Sequence, residues 1–75
     1  MPRYYFRLQN GETVADNEGE LLADDKTARV TAVEVFAETL AGKTDHLCDG
    51  GVYEVVVSRD DDGPIFSITA KGRTL

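Results

Sequence analysis

The sequence predicts an α+β fold of element order ββαββ, in which one four-stranded antiparallel sheet carries a single helix on one face. Three observations predict it. Residues 3–9 alternate, with Tyr4, Phe6 and Leu8 on one side and Arg3, Tyr5, Arg7 and Gln9 on the other, and they run straight into the turn pair Asn10-Gly11. Behind Asp24, the apolar residues Ala28, Ala32, Phe36 and Leu40 recur every fourth position, the spacing of one helix face. Residues 52–59 and 64–70 are two apolar runs about Asp60-Asp61-Asp62-Gly63, the pattern of a second hairpin.

Each element has a local reason. Asn and Gly both tolerate the positive φ that a two-residue hairpin turn demands, so a second strand over residues 12–16 is expected to return at once, short and acidic, with Val14 as its apolar contact. Asn17-Glu18-Gly19 signals another turn, and Glu20-Leu21-Leu22 a brief extended stretch. Asp24 is a good N-cap because its carboxylate accepts from backbone N–H groups left free in the first helical turn, and Asp25 suits the positive end of the helix dipole. The helix is expected over residues 25–41. Val33 and Val35 flank its buried row, Thr27, Thr31, Glu34 and Glu38 lie on the wet side, and Arg29 lays its stem on the sheet from within the apolar arc. Gly42 supplies a left-handed stop.

Residues 43–51 read as a polar loop. In residues 52–59, Tyr53, Val55 and Val57 alternate with Val52, Glu54 and Val56, which suits an interior strand. Pro64 is expected at the unpaired start of the last strand, residues 64–70, with Phe66 and Ile68 in the core-facing row and residues 71–75 as a frayed tail. The two hairpins join most simply through the first and third strands. That gives the order 2-1-3-4 and leaves the acidic second strand at an edge.

At 75 residues there is material for one core only, so residues 1–75 form a single domain. No apolar run approaches the ~20 residues of a membrane-spanning helix, and the opening Met1-Pro2-Arg3-Tyr4-Tyr5-Phe6 leads into Arg7, Gln9 and Asn10 without the apolar stretch of a secretory leader. A cytoplasmic chain with no membrane association is expected. Cys48 is the sole cysteine, so no internal disulfide supports this small core; packing must do so, and a second copy of the chain is one source of it. The net charge of −6 opposes nucleic acid and anionic membranes and favours a basic or neutral protein partner.

The opening Met1-Pro2-Arg3-Tyr4-Tyr5-Phe6, then Leu8, the turn Asn10-Gly11, Asp16, Glu18-Gly19-Glu20-Leu21, and Asp24 before Ala28 and Ala32, together resemble a family of short bacterial proteins described as domain of unknown function 6894. Val55, Val57, Asp60 and Gly63 extend the resemblance over nearly the whole chain. It implies a small, stand-alone, cytoplasmic α+β protein, and it implies no activity, ligand or catalytic residue. The family often has His or Asp at the position of Arg7 and Asp at that of Asn10. A metal or acid–base role for the first hairpin therefore loses its best candidate here.

Candidate surfaces follow from the alternation. The sheet face away from the helix is expected to carry Arg3, Tyr5, Arg7, Glu54, Val56, Ile65, Ser67 and Thr69; of these Arg3, Tyr5, Arg7, Val56 and Ile65 form a mixed polar and apolar partner surface. Between residues 12 and 25 there are acids and no base, so Glu12, Asp16, Glu18 and Glu20 form an acidic docking edge. Arg3, Tyr5 and Arg7, with Lys71 and Arg73 nearby, also resemble a single-strand RNA face, but one exposed aromatic and an acidic molecule make that the weaker reading.

Asp45, His46, Cys48 and Asp49 are metal-ligand types without the paired spacing of a closed zinc site, and nothing near Cys48 and His46 orients the imidazole as a base for the thiol. Asp60-Asp61-Asp62-Gly63 clusters oxygens as a calcium loop does, yet strands rather than helices flank it. No nucleotide-binding Gly-rich loop, nucleophile elbow or HExxH pair occurs, so no catalytic residue, metal ligand or cofactor is assigned. The expectation is a non-enzymatic protein-interaction or regulatory module whose partner is a protein or its own copy. A nucleic-acid-associated regulator is the alternative, and a small enzyme or metal-binding protein the third reading.

Overall fold

The alternation of the first residues becomes a central strand. In the computed structural model, which describes residues 1–75, β1 (Arg3–Gln9) buries Tyr4 and Phe6 and half-buries Leu8. The chain continues as β2 (Thr13–Val14), β3 (Glu20–Leu21), α1 (Asp25–Leu40), a 3-10 turn (Ala41–Lys43), α2 (Thr44–Cys48), β4 (Val52–Arg59) and β5 (Gly63–Lys71). These strands make one open antiparallel sheet of order β2-β1-β4-β5. It differs from the expected four-strand order by one addition: β3 also pairs with β1. β2 meets Leu8 and Gln9, and β3 meets Arg3 and Tyr4, so the two short strands lie end to end along the same edge.

Two fully buried tyrosines, one on each central strand, fasten α1 to the sheet. At the helix start, the Tyr4 hydroxyl donates to Asp25 Oδ1 at 2.6 Å. At the helix end, the Thr39 hydroxyl donates its one proton to the Val35 carbonyl, 2.8 Å away, so the short contact between Tyr53 and Thr39 is a donation from the phenol. Between these points Ala28 and Ala32 have no exposed surface, and their small side chains let the helix lie close over β4. Phe36 stacks on Tyr53 with ring centroids 5.4 Å apart and planes inclined by 10°. Val55 and Val57 complete the cluster.

The helix begins where expected, with Asp24 accepting from the Thr27 amide at 2.8 Å. Its end corrects the expectation. Gly42 is not left-handed; the backbone runs on through the 3-10 turn into α2 and stops at Gly50, φ 85°, so the expected polar loop is partly helical. Leu47 explains this, because it packs against the core cluster and gives α2 something to bury. Arg29 is exposed and Val33 keeps 41% of its surface, so the helix is less cleanly two-faced than its spacing suggests.

Three further corrections concern the hairpins. The first loop holds three residues, since Gln9 pairs with Thr13, and only Gly11 has positive φ. β2 ends at Val14 rather than residue 16. β5 reaches Lys71, and Gly72 stays against α2, so the tail is shorter than expected; a Cβ at Gly72 would collide with the Leu47 carbonyl. In β5 the register shifts at Val57/Ser58: Phe66 faces Val57 and Pro64 faces Ser58, which leaves Ile65 as a bulge.

Phe36→Ala removes the ring that bridges α1 and Tyr53 and is expected to cost about 3 kcal/mol of stability, read as a lower urea midpoint with an unchanged slope.

Candidate functional site

α1 covers one face of the sheet only. On the opposite face the register places Arg7 across from Val56, Gln9 across from Glu54, and Glu54 across from Thr69. With the Gln9 carboxamide turned to satisfy both neighbours, its oxygen accepts from Arg7 Nε at 3.0 Å and its nitrogen donates to Glu54 Oε1 at 3.0 Å. Thr69 Oγ1 donates to the other Glu54 oxygen at 2.9 Å. A row of joined polar side chains thus crosses β1, β4 and β5. Val56 is only 7% exposed although no helix lies on that face, so its neighbours' side chains shield it. The bulge gives Ile65 a contact with the core cluster. The open face is therefore more polar than the sequence alone suggests.

Arg3 and Tyr5 sit on the same face at the other end of β1, and the acidic segment folds onto them. The Asp16 carboxylate accepts from the amides of Glu18 (3.1 Å) and Gly19 (3.0 Å), closing a tight turn. These bonds, the Gly19 amide foremost, hold its carboxyl below the usual carboxylate range. Arg3 Nη1 donates to the Glu18 carbonyl at 2.7 Å. Gly19 has φ 74°, and a Cβ there would lie 2.9 Å from Arg3 Cγ, the Tyr4 carbonyl and Tyr5 Cε1. The two expected surfaces are consequently one. Arg3, Tyr5 and Arg7 adjoin an edge on which Glu12, Glu18 and Glu20 are exposed and Asp16 is committed to the turn.

Asp45, His46, Cys48 and Asp49 fall on α2 and its end rather than in a loop. His46 turns inward, and its Nε2–H donates to the Val52 carbonyl at 2.9 Å, the only role that carbonyl permits. Cys48 is exposed. No three His, Cys, Asp or Glu side chains gather as a metal-holding group. In the Asp60-Asp61-Asp62 turn, Asp61 pairs with Arg59 Nε at 2.6 Å. Lys71 and Arg73 line a surface groove with Leu75 at the end of β5.

One network escaped the sequence reading. Asp25 Oδ1 receives both the Tyr4 hydroxyl and Arg59 Nη1, the latter at 3.2 Å, and Arg59 reaches on to Asp61. The Tyr4 hydrogen bond, then Arg59, hold the Asp25 carboxyl below its usual range. Burial first, then Asp25, push the Tyr4 phenol up. Asp61 and then Asp25 raise the Arg59 guanidinium above its ordinary value. The signal was Asp25 itself, assigned only to the helix dipole.

The architecture is that of a small α+β domain with one helix on an open antiparallel sheet. The chain belongs to the family described as domain of unknown function 6894, whose profile matches residues 3–71. No curated protein and no solved structure matches it. No helix is long and apolar enough to cross a membrane.

Two outcomes follow. The Asp25 contribution is present above its usual value of 3.8 and lost as pH falls through the lower folded value; that of Tyr4 is present below 10.0 and lost as pH rises through its raised value. The thermal midpoint, followed by circular dichroism, is expected to be level from about pH 5 to about pH 9 and to fall on both sides, with a shallower acid fall in Asp25→Asn. Gly19→Ala is expected to lower stability by more than about 1 kcal/mol, measured in urea, because φ and space both oppose it.

Proposed function

We propose that the protein is a non-enzymatic, cytoplasmic protein-interaction module of regulatory type, which presents its open sheet face and the adjoining acidic turn to a protein partner. The observation that carries this reading is the crossed row Arg7, Gln9, Glu54 and Thr69 on the face that α1 leaves uncovered. Side chains already held by one another lose little rotamer freedom on binding, so such a row is pre-organised for a polar, complementary protein surface. Glu12, Glu18 and Glu20 beside it add a negative rim that steers a basic partner. A protein is favoured over nucleic acid because Arg3 is engaged by the Glu18 carbonyl and Arg7 by Gln9, and because the molecule carries a net charge of −6.

The test is capture from lysate by the wild-type chain and by the Arg7→Glu/Glu54→Lys chain, each at low and high salt after nuclease treatment. A protein retained by the wild type, released by salt and lost with the double substitution is the expected result. Equal capture by both chains, or recovery of nucleic acid in untreated lysate alone, would sink the reading.

A further inference from the structure

The two edges of the sheet are built differently. One is covered by two-residue strands and lined with acids. The other is β5, nine residues long, with no strand on its outer side and no charge from Gly63 to Ala70. Natural edges of that length are usually blunted by charge, and β5 has Pro64 and the Ile65 bulge at its beginning and its one charge, Lys71, at its last residue. The stretch from Phe66 to Ala70 is left as a regular, uncharged ladder. Its core-side residues Phe66, Ile68 and Ala70 remain half-exposed, whereas Tyr53, Val55 and Val57 on the adjacent strand have no exposed surface.

The ends of β5 carry opposite charge. Asp60 and Asp62 precede it and make no ion pair, while Lys71 at its last position and Arg73 just beyond are equally unpaired, along a groove. An antiparallel strand laid against β5 therefore fits best if it is acidic before its apolar run and basic after it. β5 itself has that order.

We propose that β5 is a self-recognition edge: two copies pair antiparallel through Phe66–Ala70 about a two-fold axis at Ile68, with Lys71 and Arg73 of each copy against the Asp60–Asp62 turn of the other. In this register Ile68 meets Ile68, the large Phe66 meets the small Ala70, and Ser67 meets Thr69, so every residue keeps its face and both helices lie on the same side of one continuous sheet. The bulge and Pro64 fall outside the paired segment, and Arg73 stands across from Gly63 beside Asp62. This inference goes beyond the open-face reading and uses the outer edge of β5, which shares Thr69 with that face.

Sedimentation across the micromolar range tests it, with charge-reversed chains checked for folding by circular dichroism. The wild type is expected to dimerise. Lys71→Glu/Arg73→Glu and Asp60→Lys/Asp62→Lys are each expected to weaken self-association by more than about tenfold, and the two variants mixed are expected to form a heterodimer as tight as the wild-type dimer. Dimers indifferent to both reversals, or failure of the mixture to associate, would overturn the proposal. So would a wild-type monomer at high micromolar concentration, which leaves the edge to another protein's strand or to none. Arg7→Glu alone, on β1 and two strands away from this edge, leaves the dimer intact, so the outcome is separable from that for the open face.

Discussion

The fold depends on two phenols that are buried in the sheet and satisfied by the helix. Tyr4 and Tyr53 point from the two central strands into the core, where an unpaired hydroxyl would cost of order 1–3 kcal/mol. Asp25 and Thr39 accept them at opposite ends of α1. The bonds thereby fix the position of the helix along the sheet, and the stacked Phe36 and Tyr53 rings fix its lateral placement. A chain this short has one such layer of packing, so whatever lies beyond reach of the helix is surface.

That constraint grades the molecule from centre to edge. The buried sheet residues are all on β1 and β4, while β5 is half-exposed and β2 and β3 are exposed. The open face is made soluble by a polar row rather than by a second layer, with Val56 sheltered beneath long side chains. The acidic stretch, read from sequence as free charge, is held down by its own members. Asp16 organises the turn, and Arg3 gathers the backbone of Glu18, which leaves three glutamates facing water.

Regular periodicity was legible and local departures from it were not. The alternation of β1 and the alternating apolar row of β4 reflect a repeating pattern of burial, the Asp24 cap a local hydrogen bond, and each element forms where these signals place it. Gly42 misled because a glycine signals permission for a left-handed residue, not a need for one; the need arose only after Leu47 had found the core. The bulge at Ile65 depends on a cross-strand register that no single strand contains. For the candidate surfaces, strand parity put Arg3, Tyr5 and Arg7 on one face. Their partners, a backbone carbonyl and a distant glutamate bridged by Gln9, are tertiary facts. The Tyr4–Asp25–Arg59 network was hidden for the same reason, its members being separated along most of the chain.

The position of β1 also governs when this protein can fold. The first strand of the domain lies in the middle of the sheet, and the neighbour that completes it, β4, follows only after both helices. The nearer strands β2 and β3 offer β1 four paired residues in all. The central pairing of the sheet thus joins strands far apart in sequence, the kind of contact whose loop closure slows folding.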